Sequence, residues 1–271
     1  MIKWLVVMLG AMILLAQLSG AQVAENDVCS LRDMPALSAL LPSNMQAELA
    51  PYLAASSEWS KDAGIPLIHP PCMDFPRDEN APSIKDQYMV GPGLMVAPIA
   101  SGASRDVYLP LARWYNFWTG KVIGGGRSVQ FETTEGPVPI YVKGSSVIPT
   151  AEAGSDNIVF RVYAGYAPAS CTLCPTGGEG CSLRAYRVPN GTEIVINPGR
   201  NCPQRSATFV INLPYRDVAS VSLDGQALQQ LPSDQLSSAA QGWNQEGTIV
   251  RVKIPITKQT LIHIAYKLWA S

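Results

Sequence analysis

The feature that most constrains the fold is a series of short β-prone segments that begins near residue 88 and continues toward the C-terminus. Each segment is bounded by Gly, Pro, Ser or Asn, which favour turns. Short strands at such regular spacing predict antiparallel β-sandwiches. The chain has 22 glycines, 22 prolines and only 15% charged residues, a composition that disfavours long solvated helices. The segments include "YMVGPGLMVAPI", "RDVYLPL", "VPIYVKGSSVIPT" and "TIVRVKIPI".

The clearest predicted hairpin is "SLRAYRVPNGTEIVINPG", in which Asn190 and Gly191 separate two alternating strands. Asn-Gly is typical of a type I′ turn, because both residues tolerate a positive φ. Asn190-Gly191-Thr192 is also an N-glycosylation sequon, so Asn190 is a candidate for glycosylation as well as for the turn alone. By contrast, residues 229–247 show no strand pattern and are predicted to form a long loop.

The first 21 residues have the features of a secretory signal peptide. Lys3 supplies the positive charge, residues 4–16 are almost wholly apolar, and Ser19 and Ala21 are small residues before the expected cleavage point. We expect cleavage after Ala21 and a secreted chain that is free of the membrane. The alternative is an uncleaved signal anchor, which the short apolar run disfavours because a span needs about 20 residues.

Residues 43–63 predict a helix, because their apolar side chains recur at roughly helical spacing. Pro51 lies inside this stretch, so either the first turns are irregular or the helix kinks there. Residues 65–69, which two prolines follow, predict a short buried strand after the helix. The capping residues expected for the helix are Ser43 or Asn44 at its N-terminus and Gly64 at its C-terminus.

Six cysteines in a chain expected to be exported predict disulfides. The Cys-x2-Cys-x6-Cys spacing of the central cluster also suggests zinc, but the two histidines of the chain, His69 and His263, lie far from it. No metal site is therefore predicted, and the pairing of the cysteines stays open. The disulfide candidates are Cys29, Cys72, Cys171, Cys174, Cys181 and Cys202.

Several classes of function lack support in the sequence. The formal net charge is −1 and there is no basic run, so no nucleic-acid partner is predicted. The Gly-rich stretches at 91–93 and 124–126 lack the helix and the Lys-Ser/Thr of a phosphate-binding loop, and we interpret them as turns. No dinucleotide fingerprint and no nucleophile elbow is present, and no cofactor is predicted.

An ordered series of motifs between residues 47 and 150 gives a more specific indication. The stretch "LAPYLAASSEWSKDAGIPLIHPP" is followed by "FPRD", "DQYMVGPGLMVAP", "VYLPLARWYNFWTG" and "PVPIYVKGSSVIP". This order of motifs resembles the C-terminal half of glycoside hydrolase family 31, the α-glucosidase and α-xylosidase group. So many matches in one order are hard to produce by chance. Beyond about residue 165 the resemblance fades.

The resemblance implies that the last helix and strand of a (β/α)8 barrel lead into a proximal and then a distal β-sandwich. We therefore predict a mainly β chain with two β-sandwich domains, preceded by a helix-strand remnant of the barrel. The expected divisions are a signal peptide at 1–21, the barrel-end segment at 22–87, the proximal β-sandwich at 88–165 and the distal Cys-containing β domain at 166–271.

The resemblance also implies the chemistry of retaining glycosidases, in which a nucleophile and an acid/base carboxylate lie about 5–5.5 Å apart. The family carries these groups on the barrel, in "W-x-D-x-N-E"-like and "R-x-x-x-x-GD"-like motifs, and neither motif occurs in this sequence. A (β/α)8 barrel needs about 250 residues by itself. The prediction is a truncated family 31-like protein of the O-glycosyl hydrolase class, with no catalytic residue of its own.

The candidate site residues lie between the predicted strand at 65–69 and the β-rich part. His69 stands where the family usually has Arg, so it is the candidate for sugar binding; the alternative is a hydrogen-bonded structural residue. No Asp or Glu lies at a sequence spacing expected to orient it. Asp74, Asp78 and Glu79 form the densest acidic group, which we interpret as a solvated loop with turn-stabilising Asp side chains.

The aromatic stretch "ARWYNFWTG" has two explanations. Strand alternation places Trp114 and Trp118 on one face and Tyr115 and Phe117 on the other, which favours a strand packed between layers. The alternative function is a secreted carbohydrate-binding or protein-interaction β-sandwich module, in which a sugar stacks on Trp114 or Trp118. The expected partners are an α-linked oligosaccharide or a chain that carries the missing barrel.

Overall fold

The fold is described from a computed structural model. The described residues are 29–31, 34–152, 157–165, 167–173, 180–199, 206–214 and 216–267. The predicted signal peptide lies outside them, as do the disulfide candidates Cys174 and Cys202. None of the helices in the described part combines the length and the apolar character that a bilayer crossing requires.

The N-terminal part of the fold is helical. It contains α1 (Leu37–Leu40), α2 (Ser43–Glu48) and α3 (Ala50–Ala63). The predicted helix is divided at Leu49, because Pro51 occupies the first turn of α3, where its missing N–H is not needed. Gly64 ends α3 in the left-handed conformation, as expected. The expected N-terminal cap is wrong, since Pro42 holds the cap position of α2 without a side-chain hydrogen bond.

Strands make up most of the remaining chain. In order they are β1 (Ile68–His69), β2 (Tyr88–Val90), β3 (Leu94–Val96), β4 (Ser104–Leu109), β5 (Arg113–Asn116), β6 (Val122–Gly124), β7 (Arg127–Glu132), β8 (Ile140–Lys143), β9 (Ser146–Ala151), β10 (Ile158–Tyr163), β11 (Ala169–Leu173), β12 (Cys181–Val188), β13 (Gly191–Asn197), β14 (Ser206–Asn212), β15 (Val218–Leu223), β16 (Gln226–Ala227), β17 (Gly242–Glu246), β18 (Ile249–Pro255) and β19 (Thr260–Tyr266). The short helices α4 (Pro71–Asp74) and α5 (Ser233–Leu236) follow β1 and β16, and a 3₁₀ turn spans Ala81–Ser83.

Within the described residues these strands form four sheets. The first sheet, in the order β1-β2-β3-β8-β5-β6, packs on one face against the N-terminal helices and on the other against the pair β4-β7. The remaining strands form two sheets, β17-β18-β14-β10-β9 and β11-β12-β13-β19-β15-β16, whose buried side chains share one core. The predicted mainly β fold with two sandwich units is confirmed.

Strand β5 shows how the first sheet joins its two layers. Trp114 packs with Leu109 and Phe131 between the first sheet and the β4-β7 pair. Tyr115 points to the other face and packs with Leu49 and Ile140 beneath the helices. The predicted alternation of the aromatic side chains is therefore confirmed for these two rings.

The second sandwich begins earlier than the boundary predicted at residue 165. Strands β9 and β10 already belong to the sheet that contains β14, and Phe160 of β10 lies beside Phe209 of β14 in a parallel pairing. Sequence patterns near a strand do not show which distant strand it pairs with. The order of the sheet therefore places the start of this unit at Ser146.

The strand predicted at 65–69 is shorter and pairs locally. Only Ile68 and His69 form β1, which pairs antiparallel with β2 through Ile68↔Val90 and His69↔Met89. This pairing adds β1 to the end of the first sheet.

The hairpin predicted around residue 190 is present, but its turn differs. Val188 pairs with Gly191, so the turn residues are Pro189 and Asn190. Proline holds φ near −65°, which excludes a type I′ turn. Gly191 serves another purpose, because a Cβ at this position would lie 2.3 Å from the carbonyl oxygen of Ile264.

The stretch 229–247, predicted to be a loop, contains α5 and β17. Strand β17 pairs antiparallel with β18 and inserts Trp243 into the core of the second sandwich. Gln, Asn and Gly around a single tryptophan give no period-2 pattern, so this strand depends on the neighbouring sheet rather than on local propensity.

Candidate functional site

His69 lies at the end of β1, and its side chain is fully buried. Its Nδ1 lies 2.8 Å from the carbonyl oxygen of Pro66, and its Nε2 lies 3.2 Å from Oδ1 of Asp74. The ring of Trp59 lies 6.0 Å away, centre to centre. Both polar neighbours are acceptors, so both ring nitrogens donate when the imidazole carries two protons. These contacts describe an anchored residue, and its role in sugar binding stays a prediction.

Asp74 orients His69, contrary to the expectation that no carboxylate would. The short helix α4 turns the chain back after β1, which brings a residue five positions later against the imidazole. The other carboxylate oxygen, Oδ2, lies 3.1 Å from Nζ of Lys143 on β8. This Nζ also lies 5.6 Å from the centre of the Phe75 ring. The three polar side chains, which we call the His69 cluster, are His69, Asp74 and Lys143.

The electrostatics of this cluster decide what Asp74 can do. Burial by itself opposes ionisation, but the hydrogen bond from His69 and the positive charge of Lys143 outweigh it, so the pKa of Asp74 lies below its usual range. A carboxyl group with a lowered pKa is ionised at neutral pH. It is therefore unsuited to donate the proton that glycoside cleavage requires.

Asp78 holds the following loop together. Its carboxylate accepts hydrogen bonds from the hydroxyl of Tyr108 at 3.0 Å and from the backbone N–H groups of Asn80 at 3.0 Å and Leu111 at 3.1 Å. Glu79 is exposed. The interpretation as a turn-stabilising Asp is confirmed for Asp78. It is wrong for Asp74, whose side chain is only 9% exposed and takes part in ion pairing.

The tryptophans of the aromatic stretch are held by the fold. Trp114 is fully buried, and its Nε1 donates to the carbonyl oxygen of Pro110 at 2.8 Å. Trp118 is half-buried; its Nε1 donates to Val138 at 2.7 Å, and its ring lies so close to Gly136 that a Cβ there would come within 2.4 Å. A sugar platform needs ring faces open to solvent, and Trp114 offers none. The aromatic stretch instead connects the layers that pack on the two faces of the first sheet.

Among the disulfide candidates, Cys29 and Cys72 form a disulfide with their Cα atoms 6.0 Å apart. The bond ties the N-terminal segment to α4, close to Asp74. Cys171 and Cys181 lie on the neighbouring strands β11 and β12, opposite Leu183 and Leu173 respectively. Their pairing stays a prediction. Asn190 is exposed at its turn, and its glycosylation also stays a prediction.

Comparison with known proteins bears on the region that carries the His69 cluster. The family model described as the "Glycosyl hydrolase family 31 C-terminal domain" matches residues 64–148, from the end of α3 into β9. An alpha-xylosidase of Saccharolobus solfataricus is 33% identical over 131 residues, which are 45% of this chain and 18% of that protein. An alpha-glucosidase of the same organism is 38% identical over 117 residues, which are 43% of this chain and 16% of that protein.

Solved structures extend the likeness to the second sandwich. A GH31 dextranase of Flavobacterium johnsoniae superposes with a TM-score of 0.71 at 20% identity, over 82% of this chain and 32% of its own. A GH31 alpha-xylosidase of Xanthomonas citri superposes with a TM-score of 0.51 at 26% identity, over 62% of this chain and 20% of its own. Both cover more of the chain than residues 64–148, so the likeness in fold continues beyond the matched domain.

These sequence matches cover only a small part of each relative. The aligned part of the chain spans less than a fifth of the two curated relatives, at 18% and 16% of their lengths. The motifs, the match of the family model and the folds agree on the same segment. Residues 64–148 of this chain are therefore similar to the C-terminal domain of glycosyl hydrolase family 31.

Proposed function

We propose that this chain is the C-terminal β portion of a family 31 glycosidase and that these residues do not cleave glycosides by themselves. The observation that carries the proposal is the match of residues 64–148 to the family's C-terminal domain. Relatives named alpha-xylosidase and alpha-glucosidase support α-linked xylosides or glucosides as the substrate class of the complete enzyme.

The contacts of the carboxylates near β1 support the proposal that these residues do not cleave glycosides by themselves. A retaining glycosidase needs a carboxylate nucleophile and a carboxylic acid with a raised pKa. Asp74 has a lowered pKa and is bound to His69 and Lys143. The carboxylate of Asp78 accepts hydrogen bonds from two backbone N–H groups and from the Tyr108 hydroxyl. Using either carboxylate for catalysis would break hydrogen bonds that stabilise the fold.

The role proposed for this portion is to brace a barrel that carries the chemistry. The relatives are much longer than the part aligned here, so a barrel can be supplied by another segment or by a partner chain. The aromatic stretch supports this role, because Trp114 and Tyr115 are buried on opposite faces of one strand and connect the first sheet to the layers on both sides.

The direct test is an assay of the purified chain on 4-nitrophenyl α-glucoside and α-xyloside. We expect no turnover above that of matched Asp74→Asn and Asp78→Asn variants. Turnover that either substitution abolishes would show that the chain is catalytic and would overturn the proposal.

The bracing role needs a second measurement. A family 31 barrel made without its own C-terminal domain is mixed with this chain and analysed by size-exclusion chromatography. We expect co-elution together with an increase in glycosidase activity. A barrel that elutes separately and gains no activity would contradict the bracing role.

A further inference from the structure

A cleft where the first sheet meets the second sandwich gathers positive charge. It has a volume of about 350 Å³, within the range of roughly 300–1,000 Å³ for small-molecule sites. Three arginines line it: Arg113 on β5, Arg187 on β12 and Arg216 just before β15. Among the side chains that the structure describes, no acidic one lines this cleft. The remaining lining residues are Ala164, Leu213, Pro214 and Tyr266.

The positive charge of two of these arginines is not balanced by a carboxylate. Neither Arg187 nor Arg216 forms an ion pair with an Asp or Glu within the described ranges of the chain. By contrast, the guanidinium of Arg161 lies 3.2 Å from the carboxylate of Glu48. Like charges that share a cleft repel each other, so gathering them costs free energy that a bound anion offsets. The unbalanced charge therefore indicates an anionic ligand.

The aromatic wall of the cleft positions Arg216. Its guanidinium lies 5.5 Å from the centre of the Tyr266 ring. Tyr266 is itself buried, and its hydroxyl is hydrogen-bonded to the hydroxyl of Thr192. The cation–π contact restricts the Arg216 side chain without using a hydrogen-bond acceptor, so its N–H groups stay available to a ligand.

The other two arginines lie near one buried hydroxyl at the inner end of the cleft. Burial raises the pKa of Tyr115 to about 12, while the positive charges of Arg113 and Arg187 act in the opposite direction. Both guanidinium groups are therefore near the Tyr115 hydroxyl, since charges shift a pKa only when they are close. This hydroxyl donates to the carbonyl oxygen of Ala164 in the cleft wall. Residues from β5 and β12 thus direct positive charge into the same cleft.

The lining defines the chemical class of the anion. A guanidinium presents its N–H donors as a fork that matches the oxygen atoms of a phosphate group, and several guanidinium groups together favour a doubly charged anion. Leu213 and Pro214 add an apolar surface that C–H groups of an attached molecule can contact. We propose that this cleft binds a phosphate group, either as inorganic phosphate or as the monoester of a small molecule. The site involves no covalent step and does not depend on the proposed function.

The test follows the arginine Nε–H signals of the ¹⁵N-labelled protein by NMR during titration with inorganic phosphate and, separately, with glucose 6-phosphate. We expect saturable shifts of the Arg187 and Arg216 signals, with a Kd on the order of 0.1–1 mM. Tighter binding of phosphate would identify the free anion as the ligand, and tighter binding of glucose 6-phosphate a monoester. Sodium chloride at matched ionic strength and uncharged glucose are the controls. Absence of saturable shifts with both phosphates, or equal shifts with chloride, would overturn the proposal.

Variants link the binding to the cleft. Arg187→Gln removes one positive charge from an exposed lining residue and should weaken phosphate binding about fivefold or more. Arg184→Gln is the matched control, because Arg184 is an exposed arginine on the opposite face of the same strand and its loss changes the net charge equally. It should leave the Kd nearly unchanged.

Arg216 provides a second comparison. Arg216→Gln should weaken phosphate binding more than Arg216→Lys, which keeps the charge. If Arg216→Gln does not fold, the comparison of Arg187→Gln with Arg184→Gln still decides. Equal Kd values for Arg187→Gln and Arg184→Gln would show a diffuse electrostatic attraction and would contradict the proposal.

Discussion

The imidazole of His69 and the carboxylate of Asp74 are paired inside the fold, with Nε2 of the former 3.2 Å from Oδ1 of the latter. The pair closes the turn between β1 and α4, and Lys143 attaches it to β8 in the middle of the first sheet. His69 is thus joined to the first sheet through a carboxylate. The consequences of this arrangement can be measured.

The first prediction concerns the pH dependence that Asp74 contributes. Because the folded state lowers its pKa, Asp74 stabilises the fold above its unfolded pKa of about 3.9, and this stability is lost as pH falls through the folded pKa. Asp74→Asn should lower the free energy of unfolding by about 2–3 kcal/mol at pH 7. The difference from the wild type should shrink below about pH 4, as urea unfolding at a series of pH values would show.

Glu79→Gln is the matched control for Asp74→Asn, since Glu79 is an exposed carboxylate in the same segment. It should change the free energy of unfolding by less than about 0.5 kcal/mol at every pH. A difference between Asp74→Asn and the wild type that is the same at pH 3 and pH 7 would show that the effect is not due to ionisation of Asp74.

The second prediction separates a packing role from a binding role for Trp114. Trp114→Ala removes a fully buried ring and the hydrogen bond to Pro110, and should lower the free energy of unfolding by about 3–5 kcal/mol. Leu111→Ala, in the adjoining turn and 79% exposed, should cost less than about 0.5 kcal/mol. Chemical unfolding followed by tryptophan fluorescence measures both, and a Trp114→Ala protein as stable as the wild type would refute the packing role.

The third prediction uses three consecutive glycines, of which Gly124 ends β6 and Gly125 and Gly126 connect it to β7. A Cβ on Gly125 would lie 1.9 Å from the carbonyl oxygen of Pro110, whereas a Cβ on Gly124 meets nothing within 4 Å. Gly125→Ala should therefore lower the melting temperature strongly. The clash is with a backbone atom, so no side-chain rotamer change relieves it and the backbone itself must move. Gly126 has φ of 77°, so Gly126→Ala should cost about 1 kcal/mol through backbone strain.

Gly124→Ala is the internal control for the glycine series. It should be neutral or slightly stabilising, because alanine reduces the conformational freedom of the unfolded chain. The ranking of the three melting temperatures, measured by differential scanning fluorimetry, is the test. A Gly124→Ala protein less stable than Gly125→Ala would contradict the geometry of this turn.

The fourth prediction concerns the Cys29–Cys72 disulfide. It closes a loop with a sequence separation of 43 residues, for which the chain-entropy estimate is a stabilisation of about 4 kcal/mol. The double substitution Cys29→Ser and Cys72→Ser should lower the midpoint of urea unfolding accordingly. Reductant should destabilise the wild type more than this variant; equal effects on both would show that the bond contributes no stability.

The residues near β1 show where local sequence patterns are informative and where they are not. The break in the helix follows from Pro51, and its end follows from Gly64, because each residue restricts its own backbone. The link between Asp74 and Lys143 joins residues 69 positions apart. It depends on β8 lying inside the first sheet, and no local pattern states that order.

The same distinction holds for the second sandwich. Alternating side chains in β12 and β13 identify a hairpin in advance, but Pro189 rather than the Asn-Gly pair selects the turn. Strand β17 has no local signal, because the Gln, Asn and Gly residues around Trp243 do not alternate between polar and apolar.

The amino-acid sequence alone was sufficient for the mainly β class, the end of the helix at Gly64 and the resemblance to family 31, because turn residues, side-chain alternation and motif order are local properties. Three-dimensional packing was needed for the parallel pairing of β10 with β14 and for the His69 cluster. These features join residues that are distant along the chain. Their formation depends on which surfaces the sheets bury together, and that is a property of the whole fold.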